Sequence, residues 1–452
     1  MYQISRWRER VRSVHPDHLR IAWATMRISA FVLIGKCTGA LKEMAIAYKY
    51  GISNVVDAYQ FTTTIVTWLP TTLLSVMSIV LVPVFVNLRS RSSEDRARLV
   101  GEIEGVAVAI GVLLALLLYV SWPIVIRAIG GDLSPITREM CRRLMYWLAP
   151  TSVLILVSSI FAARLQARER HINTLLDGIP AALVLISVLS TDTAQSIAPL
   201  VFGTIVGLVL QVVWLKLLAA RADGVKSRAR LSMHCPEWKS MWLSIRTLMV
   251  GQVVFCFCPP LDQYFAARLG EGASSTLGYA SRVILLLLSM GAMAAAQAAL
   301  PIFSDILKRG DIEHARRTAL FWGLAVFALG VVCAAASWLL APEVIAVLFQ
   351  RGAFTATDTQ RVADVFRWGL LQVPFYFGLQ VLSGLFASEG RFKVMANIAV
   401  ATFAIKVAGN FLLVRHFGIA GVQISTGLMY GTAFFLSMGM LRGGARPSGE
   451  VV

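Results

Sequence analysis

The sequence is short of charge, and shortest of negative charge. Charged residues make up 15% of its 452 positions, with 25 Asp and Glu against 42 Lys and Arg. The six cysteines, Cys37, Cys141, Cys235, Cys256, Cys258 and Cys333, are scattered, mostly in apolar stretches where a thiol behaves as a small hydrophobe. Cys256-Phe257-Cys258 lacks the spacing and the second pair of a zinc site, so neither a metal nor a disulfide framework is expected. The six histidines are dispersed. No nucleophile–base pair and no glycine-rich phosphate loop occurs, which argues against a catalytic site and against ATP hydrolysis. The basic, amphipathic residues 1–20 are not followed by a short apolar core with a small-residue cleavage site, so no cleaved leader is expected.

What the sequence has in abundance is long apolar runs. It is 57% hydrophobic, with a mean hydropathy of +0.69, a composition of polytopic membrane proteins. Twelve segments are long and apolar enough to span: 22–48, 57–87, 100–122, 140–163, 172–189, 197–218, 242–267, 278–307, 319–340, 362–387, 394–414 and 419–441. Asp177 and Pro180 interrupt the fifth. Basic residues concentrate in alternate loops, roughly 25 Lys and Arg against about 7 in the intervening ones. That alternation keeps its phase through all twelve segments and predicts both termini in the cytoplasm. It also accounts for the net charge of +17 without nucleic-acid binding.

The two halves repeat. Pro83-Val84-Phe85, leading to Arg91, Ala97 and Arg98, reappears at one constant offset as Pro301-Ile302-Phe303, Arg309, Ala315 and Arg316. Residues 167–169 and 387–389 fall at nearly the same offset. The expected architecture is all-α, with two pseudo-symmetric six-helix lobes around a central cavity. The expected divisions are a basic N-terminus (1–20), an N-lobe (21–221), a linker (222–240), a C-lobe (241–441) and a basic tail (442–452).

The first span carries charge where charge is costly. Lys36, Lys42 and Glu43 lie within it and Asp57 opens the next span; an ionised group at bilayer depth costs about 3 kcal/mol or much more unless it meets water or a partner. Lys36 and Glu43 share a helix face about 10 Å apart along the axis. Gly35 and Gly39 form a small-x-x-x-small face for close helix approach. The pattern predicts a helix with one face on packed protein and another on a polar cavity that accepts an anion.

Three stretches carry a family resemblance. They are Gly35-Lys36 through Lys42-Glu43 with Val56-Asp57-Ala58-Tyr59; Leu261-Asp262-Gln263-Tyr264-Phe265-Ala266 through Tyr279-Ala280-Ser281-Arg282; and Leu348-Phe349-Gln350-Arg351-Gly352-Ala353-Phe354-Thr355-Ala356-Thr357-Asp358. Through them nearly the whole chain resembles the MurJ/MviN lipid II flippases of the multidrug/oligosaccharidyl-lipid/polysaccharide exporter superfamily. That resemblance implies alternating access, with basic side chains meeting the diphosphate of a polyprenyl-linked saccharide. It assigns that role to Lys36, Lys42 and Arg282, with Glu43 and Asp57 orienting the cations and helping to reset the cavity. The family usually has fourteen helices, and this sequence holds what matches the first twelve. It implies no cofactor, a bacterial inner-membrane location, and membrane lipids and envelope-synthesis enzymes as partners.

Four departures from the pattern shape the expectation. Lysines stand at 36 and 42 where the family has arginines, which trades a bidentate fork for a point charge. Pro70 stands where the second helix often has a cation, and Ser281 replaces the acid before Arg282. Some members resemble sodium-coupled carriers; here Asp262 and Asn410 match ligands, but Lys406 occupies another ligand position. Its ammonium is expected to pair with Asp262 where sodium would sit, leaving membrane potential as the driving force. The alternatives are an exopolysaccharide repeat-unit flippase, an exporter of cationic drugs with the same superfamily fold, and a non-transporting scaffold.

Overall fold

The computed structural model describes residues 16–130, 132–168, 170, 172–191 and 196–442. Most of the basic N-terminus, Glu169 of the repeat and all but the first residue of the tail therefore lie outside the described residues. Every one of the twelve apolar segments is a helix or a pair of helices. Single helices are α1 (Pro16–Tyr50), α2 (Asn54–Asn87) and α3 (Ser93–Ala128). The fourth segment is α4 (Pro135–Leu148) plus α5 (Thr151–Ala167), and the fifth is α6 (Ile172–Leu176) plus α7 (Ile179–Leu189). The sixth is α8 (Ala198–Asp223), and the seventh splits into α9 (Glu237–Cys256) and α10 (Cys258–Ala267). Then come α11 (Ala273–Lys308), α12 (Ile312–Leu339) and a short α13 (Ala341–Phe349) inside an expected loop. The tenth segment is α14 (Ala356–Gly369) plus α15 (Gln372–Ser388), and α16 (Phe392–Phe417) and α17 (Ile419–Arg442) are the last helices among the described residues. Among the described residues, seven helices are each long and apolar enough to cross a bilayer, or nine if each bent pair is one span. The chain is a multi-pass membrane protein.

The breaks have physical causes. α4 and α5 meet at 44° around Pro150, and α14 and α15 meet at 40° ahead of Pro374. Proline removes a backbone donor and crowds the preceding turn. The freed carbonyls are answered locally. The Thr151 hydroxyl donates to the Leu148 carbonyl, Ser152 to Ala149 at 2.9 Å, and the Gln372 amide to Gly369 at 2.9 Å. Such side-chain partners are what lipid cannot supply.

The repeat is structural. In each lobe the third span packs along the fourth (α3 on α5; α12 on α15), and the second does so too (α2 on α5; α11 on α15). In each lobe the fifth also pairs with the sixth (α7 with α8; α16 with α17). Phe85 and Phe303, at matching repeat positions, are both buried. The first span of each lobe touches the other lobe, but unequally: α9 packs on α16 of its own lobe and lies along α2 of the other far more extensively than α1 does on α11.

That asymmetry follows from the linker. Its descent begins at α3, where Gly101-Glu102-Ile103-Glu104-Gly105 opens the span. Glu102 accepts from Ser232 Oγ at 2.7 Å, Trp238 Nε1 at 2.9 Å and the Cys235 amide at 3.2 Å. Glu104 accepts from the Ser227 hydroxyl and from Lys216 Nζ at 3.4 Å. Arg164 forks onto Asp223 with two 2.9 Å bonds and donates to the Val225 carbonyl at 2.8 Å. A Cβ on Gly105 would sit 2.1 Å from the Arg230 carbonyl oxygen, and one on Gly101 would sit 2.5 Å from that of Arg228. Only glycines let the linker lie this close. Arg91 and Glu237 add an ion pair at 2.6 Å, and Trp238 and Met241 join the apolar core of α2, α3 and α5. The linker and the first turn of α9 are thus fastened to the N-lobe.

Candidate functional site

The side of the molecule with the basic loops is called here the basic face, and its opposite the far face. On the far face the lobes are joined by backbone. Asp57, in the first turn of α2, accepts from the amides of Gly272 at 2.6 Å and Ser275 at 2.7 Å. It caps α11 of the opposite lobe, where free N–H groups and the helix dipole favour an anion. Tyr279 Oη donates to the Gly51 carbonyl at 3.0 Å, and the Ala353 amide to the Tyr48 carbonyl at 2.8 Å. Gly51 (φ 56°) and Gly352 (φ 60°) have left-handed backbones. Added Cβ atoms there would lie 2.5 Å and 2.3 Å from the facing carbonyl oxygens. Both positions require glycine twice over, for φ and for space.

Beneath this clasp the lobes share one carboxylate. Glu43 sits about 10 Å inside the far end of α1, and Arg282 about 13 Å inside the start of α11. Lys42 Nζ reaches Glu43 Oε1 at 2.7 Å, and Arg282 Nε reaches the same oxygen at 3.3 Å. Glu43 Oε2 is buried and has no hydrogen bond among the described residues. Exposure is graded: the Glu43 side chain is 5% exposed, Lys42 15% and Arg282 45%. The anion is sealed and the guanidinium looks into open space. Beside it, Ser281 Oγ accepts from Gln423 Nε2 at 3.0 Å, and Gln423 Oε1 accepts from Gln372 at 3.2 Å. An amide chain thus occupies the place next to Arg282 where an acid was expected.

The structure therefore brings Lys42, Glu43 and Arg282 together. Lys36, about two turns nearer the basic face, is exposed and has no ion pair or hydrogen bond among the described residues. Asp57 does not meet these cations, because both its oxygens are taken by backbone amides of α11. The expectation that it orients them gives way to a role as interlobe cap. Of the two glycines on α1, Gly35 does meet a close neighbour, the Thr174 carbonyl 3.6 Å from its ideal Cβ, while Gly39 faces open space. Asp177, at the break of the fifth span, accepts from Gln211 Nε2 at 2.9 Å.

A second cluster lies wholly in the C-lobe. Lys406 Nζ is 2.8 Å from Asp262 Oδ1, 3.1 Å from Oδ2 and 2.6 Å from Thr426 Oγ1. Asn410 Nδ2 donates to Asp262 Oδ1 at 3.4 Å. Three oxygens surround an ammonium that has three protons to give. Lys406 and Asn410 are fully buried, and one helical turn separates them on α16. Thr426 carried no signal in the sequence that set it apart from other threonines in apolar spans. No cluster of residues suited to a metal occurs among the described residues.

Comparison with known proteins identifies the family and the fold. The sequence profile of the family described as Lipid II flippase MurJ matches residues 46–450. A Bdellovibrio bacteriovorus protein named Probable lipid II flippase MurJ is 29% identical over 243 residues, 54% of this chain and 46% of that one. This alignment spans less than half of that relative's length. The Lipid II flippase MurJ of Burkholderia cenocepacia is 25% identical over 433 residues, covering 90% of this chain and 80% of the relative. Among solved structures, a lipid II flippase MurJ in an inward closed conformation superposes with a TM-score of 0.77 at 19% identity, over 92% of this chain and 87% of that one. An inward-facing multidrug transporter of the MATE family gives 0.74 at 12% identity, over 90% and 94%. These structural likenesses are of fold.

Proposed function

The chain belongs to the lipid II flippase MurJ family, and from that premise we propose that it translocates a polyprenyl-diphosphate-linked saccharide, lipid II or a close relative, across the bacterial inner membrane. The basic face is cytoplasmic and the far face external. In the conformation described here the external clasp is closed, so the diphosphate enters from the cytoplasm. Lys42 and Arg282 receive it, with Lys36 on the entry side. Glu43 holds the two cations together while the cavity is empty. A diphosphate brings more negative charge than one carboxylate and several acceptor oxygens, so it competes for the exposed guanidinium of Arg282. Drawing cations from both lobes onto one anion favours their approach; release outside requires the Asp57 cap on α11 to part. The Lys406–Asp262 pair replaces a free sodium ion, and the membrane potential, about 2.3 kcal/mol per charge per 100 mV, supplies the bias.

The observation that carries this reading is the single carboxylate shared by Lys42 of one lobe and Arg282 of the other. A second reading, a flippase for an exopolysaccharide repeat unit, is favoured by the Gln423–Ser281 bond beside Arg282 and by lysines in place of arginines. Complementation separates them. Rescue of cells depleted of their lipid II flippase supports the first; failure there with rescue of an exopolysaccharide export defect supports the second. Failure in both would refute the proposed transport.

A further inference from the structure

The far-face loops carry few cations, yet Arg127, Arg138, Arg142 and Arg143 lie close together in sequence at that end. α4 is sharply two-sided. Thr137, Cys141, Leu144, Met145 and Leu148 are buried at i, i+4, i+7, i+8 and i+11. The other side bears Arg142 and Arg143, whose side chains are 70% and 67% exposed, with Tyr146 and Trp147, 62% and 58% exposed. Basic groups above an aromatic belt are the chemistry of a bilayer interface.

Between α4 and the start of α8 the helices part and leave an open cavity of about 810 Å³. Arg142 and Arg143 stand at its rim, and Tyr146, Trp147, Phe202 and Ile205 line its trough. Tyr50 Oη, donating to the Ser196 carbonyl at 3.0 Å, fixes its edge to α1. The only carboxylate in contact with the rim arginines among the described residues is Glu139. It lies 2.8 Å from Arg142 Nη2 and 3.0 Å from Arg143 Nε. Two guanidiniums share one carboxylate, so a net positive charge and several N–H donors are left over. Exposed ion pairs of this kind are weak and yield readily to a better anion.

We propose that this groove binds an anionic phospholipid of the outer leaflet, its phosphate on Arg142 and Arg143 and an acyl chain along the aromatic trough. Charge complementarity at the rim and an apolar trough at bilayer level together match one amphiphile. The site lies on the flank of the N-lobe, apart from Lys42, Glu43 and Arg282, and only its assignment to the outer leaflet rests on the orientation proposed above.

The test is lipid retention by the purified full-length protein, read by native mass spectrometry after exchange from mixed micelles of phosphatidylglycerol and phosphatidylcholine. The expected result is preferential retention of phosphatidylglycerol, reduced at least about tenfold in the Arg142→Gln/Arg143→Gln variant, as loss of charge-assisted bonds requires. Arg127→Gln, outside the groove, keeps the preference. Glu139→Gln removes the competing carboxylate and raises it, which preserves the test if the double variant folds poorly. Equal retention of the two lipids by the wild type, or a preference untouched by both Glu139→Gln and the double variant, overturns the proposal. Displacement of the phosphatidylglycerol by an equimolar polyprenyl diphosphate assigns the groove to the cargo instead and also overturns it. None of these readouts depends on transport, so loss of the proposed transport function would leave them intact.

Discussion

Glu43 and Asp262 are carboxylates held against cations inside the spans, and their surroundings are inverted. At Glu43 the anion is sealed, at 5% exposure, while its Arg282 partner is 45% exposed. At Asp262 the cation is sealed, Lys406 at 1%, while the carboxylate is 24% exposed. Glu43 draws on both lobes and has an oxygen to spare; Lys406 draws on α10, α16 and α17 of one lobe and has its protons committed. The first cluster thus keeps an exposed guanidinium and a net positive charge, which the proposed diphosphate binding needs. In the second, the Lys406–Asp262 pair is neutral and the three ammonium protons are committed, although Asn410 Oδ1 is likewise buried without a partner among the described residues. Burial alone ranks them alike; the side from which each is open separates the proposed binding site from a fixed pair.

The comparison breaks most visibly if the cations of the first cluster are dispensable. Lys42→Ala and Arg282→Ala are each expected to abolish complementation of flippase-depleted cells while the protein still reaches the membrane, checked by growth and by immunoblot of membrane fractions. Growth at wild-type rates in either would place the diphosphate elsewhere. At the second cluster the dominant effect is on stability. Lys406→Met leaves Asp262 unpaired and is expected to cost about 3–5 kcal/mol, the usual penalty for orphaning a buried charge, seen as a fall in thermal midpoint of the purified protein.

Lys406→Asn sharpens the contrast. With the tethered ammonium gone, the oxygens of Asp262, Asn410 and Thr426 are free for a cation. Sodium at a hundred times its dissociation constant should then stabilise the variant by about 2.7 kcal/mol and leave the wild type unchanged. Sodium stabilisation already present in the wild type would contradict the role given to Lys406. A smaller effect is expected at the clasp. Asp57→Asn keeps an acceptor but loses the charge facing the α11 dipole, worth about 1 kcal/mol. Spin labels on the two far-face loops should report a larger separated population, and an unchanged distance distribution would remove Asp57 from the clasp. The smallest signal is chemical. Cys37, exposed beside Lys36, should react with a water-soluble maleimide and be protected by a polyprenyl diphosphate. Cys235, whose thiol is pushed up to about 11 by burial and then by Glu102, should stay unlabelled at pH 7.5, where roughly one thiol in a thousand or fewer is ionised.

How much of this was legible beforehand divides along a physical line. The spans follow from apolar length; of their breaks only the one at Asp177 and Pro180 was legible, because proline alone does not decide: Pro70 and Pro83 sit inside an unbroken α2. Lys406 and Asn410 stand one helical turn apart, so a shared face was readable, and the resemblance supplied Asp262. Lys42 and Arg282 are 240 positions apart, and only the resemblance suggested that they meet. Asp57 could not be read correctly because its partners are backbone amides, which every residue but proline carries. The linker's seat was present in Gly101-Glu102-Ile103-Glu104-Gly105: two acids at the mouth of an apolar span, flanked by glycines, ask for donors that lipid cannot give. Hydropathy averages that sequence into the span behind it, which hides the signal.

The most direct measurement is the affinity of the purified protein for a polyprenyl diphosphate, compared between wild type and Arg282→Gln. Loss of a charge-assisted contact of about 1.5–3 kcal/mol predicts an affinity at least about tenfold weaker in the variant, with the thermal midpoint little changed. Equal affinity in the two proteins would contradict the claim that the cations of both lobes converge on the diphosphate.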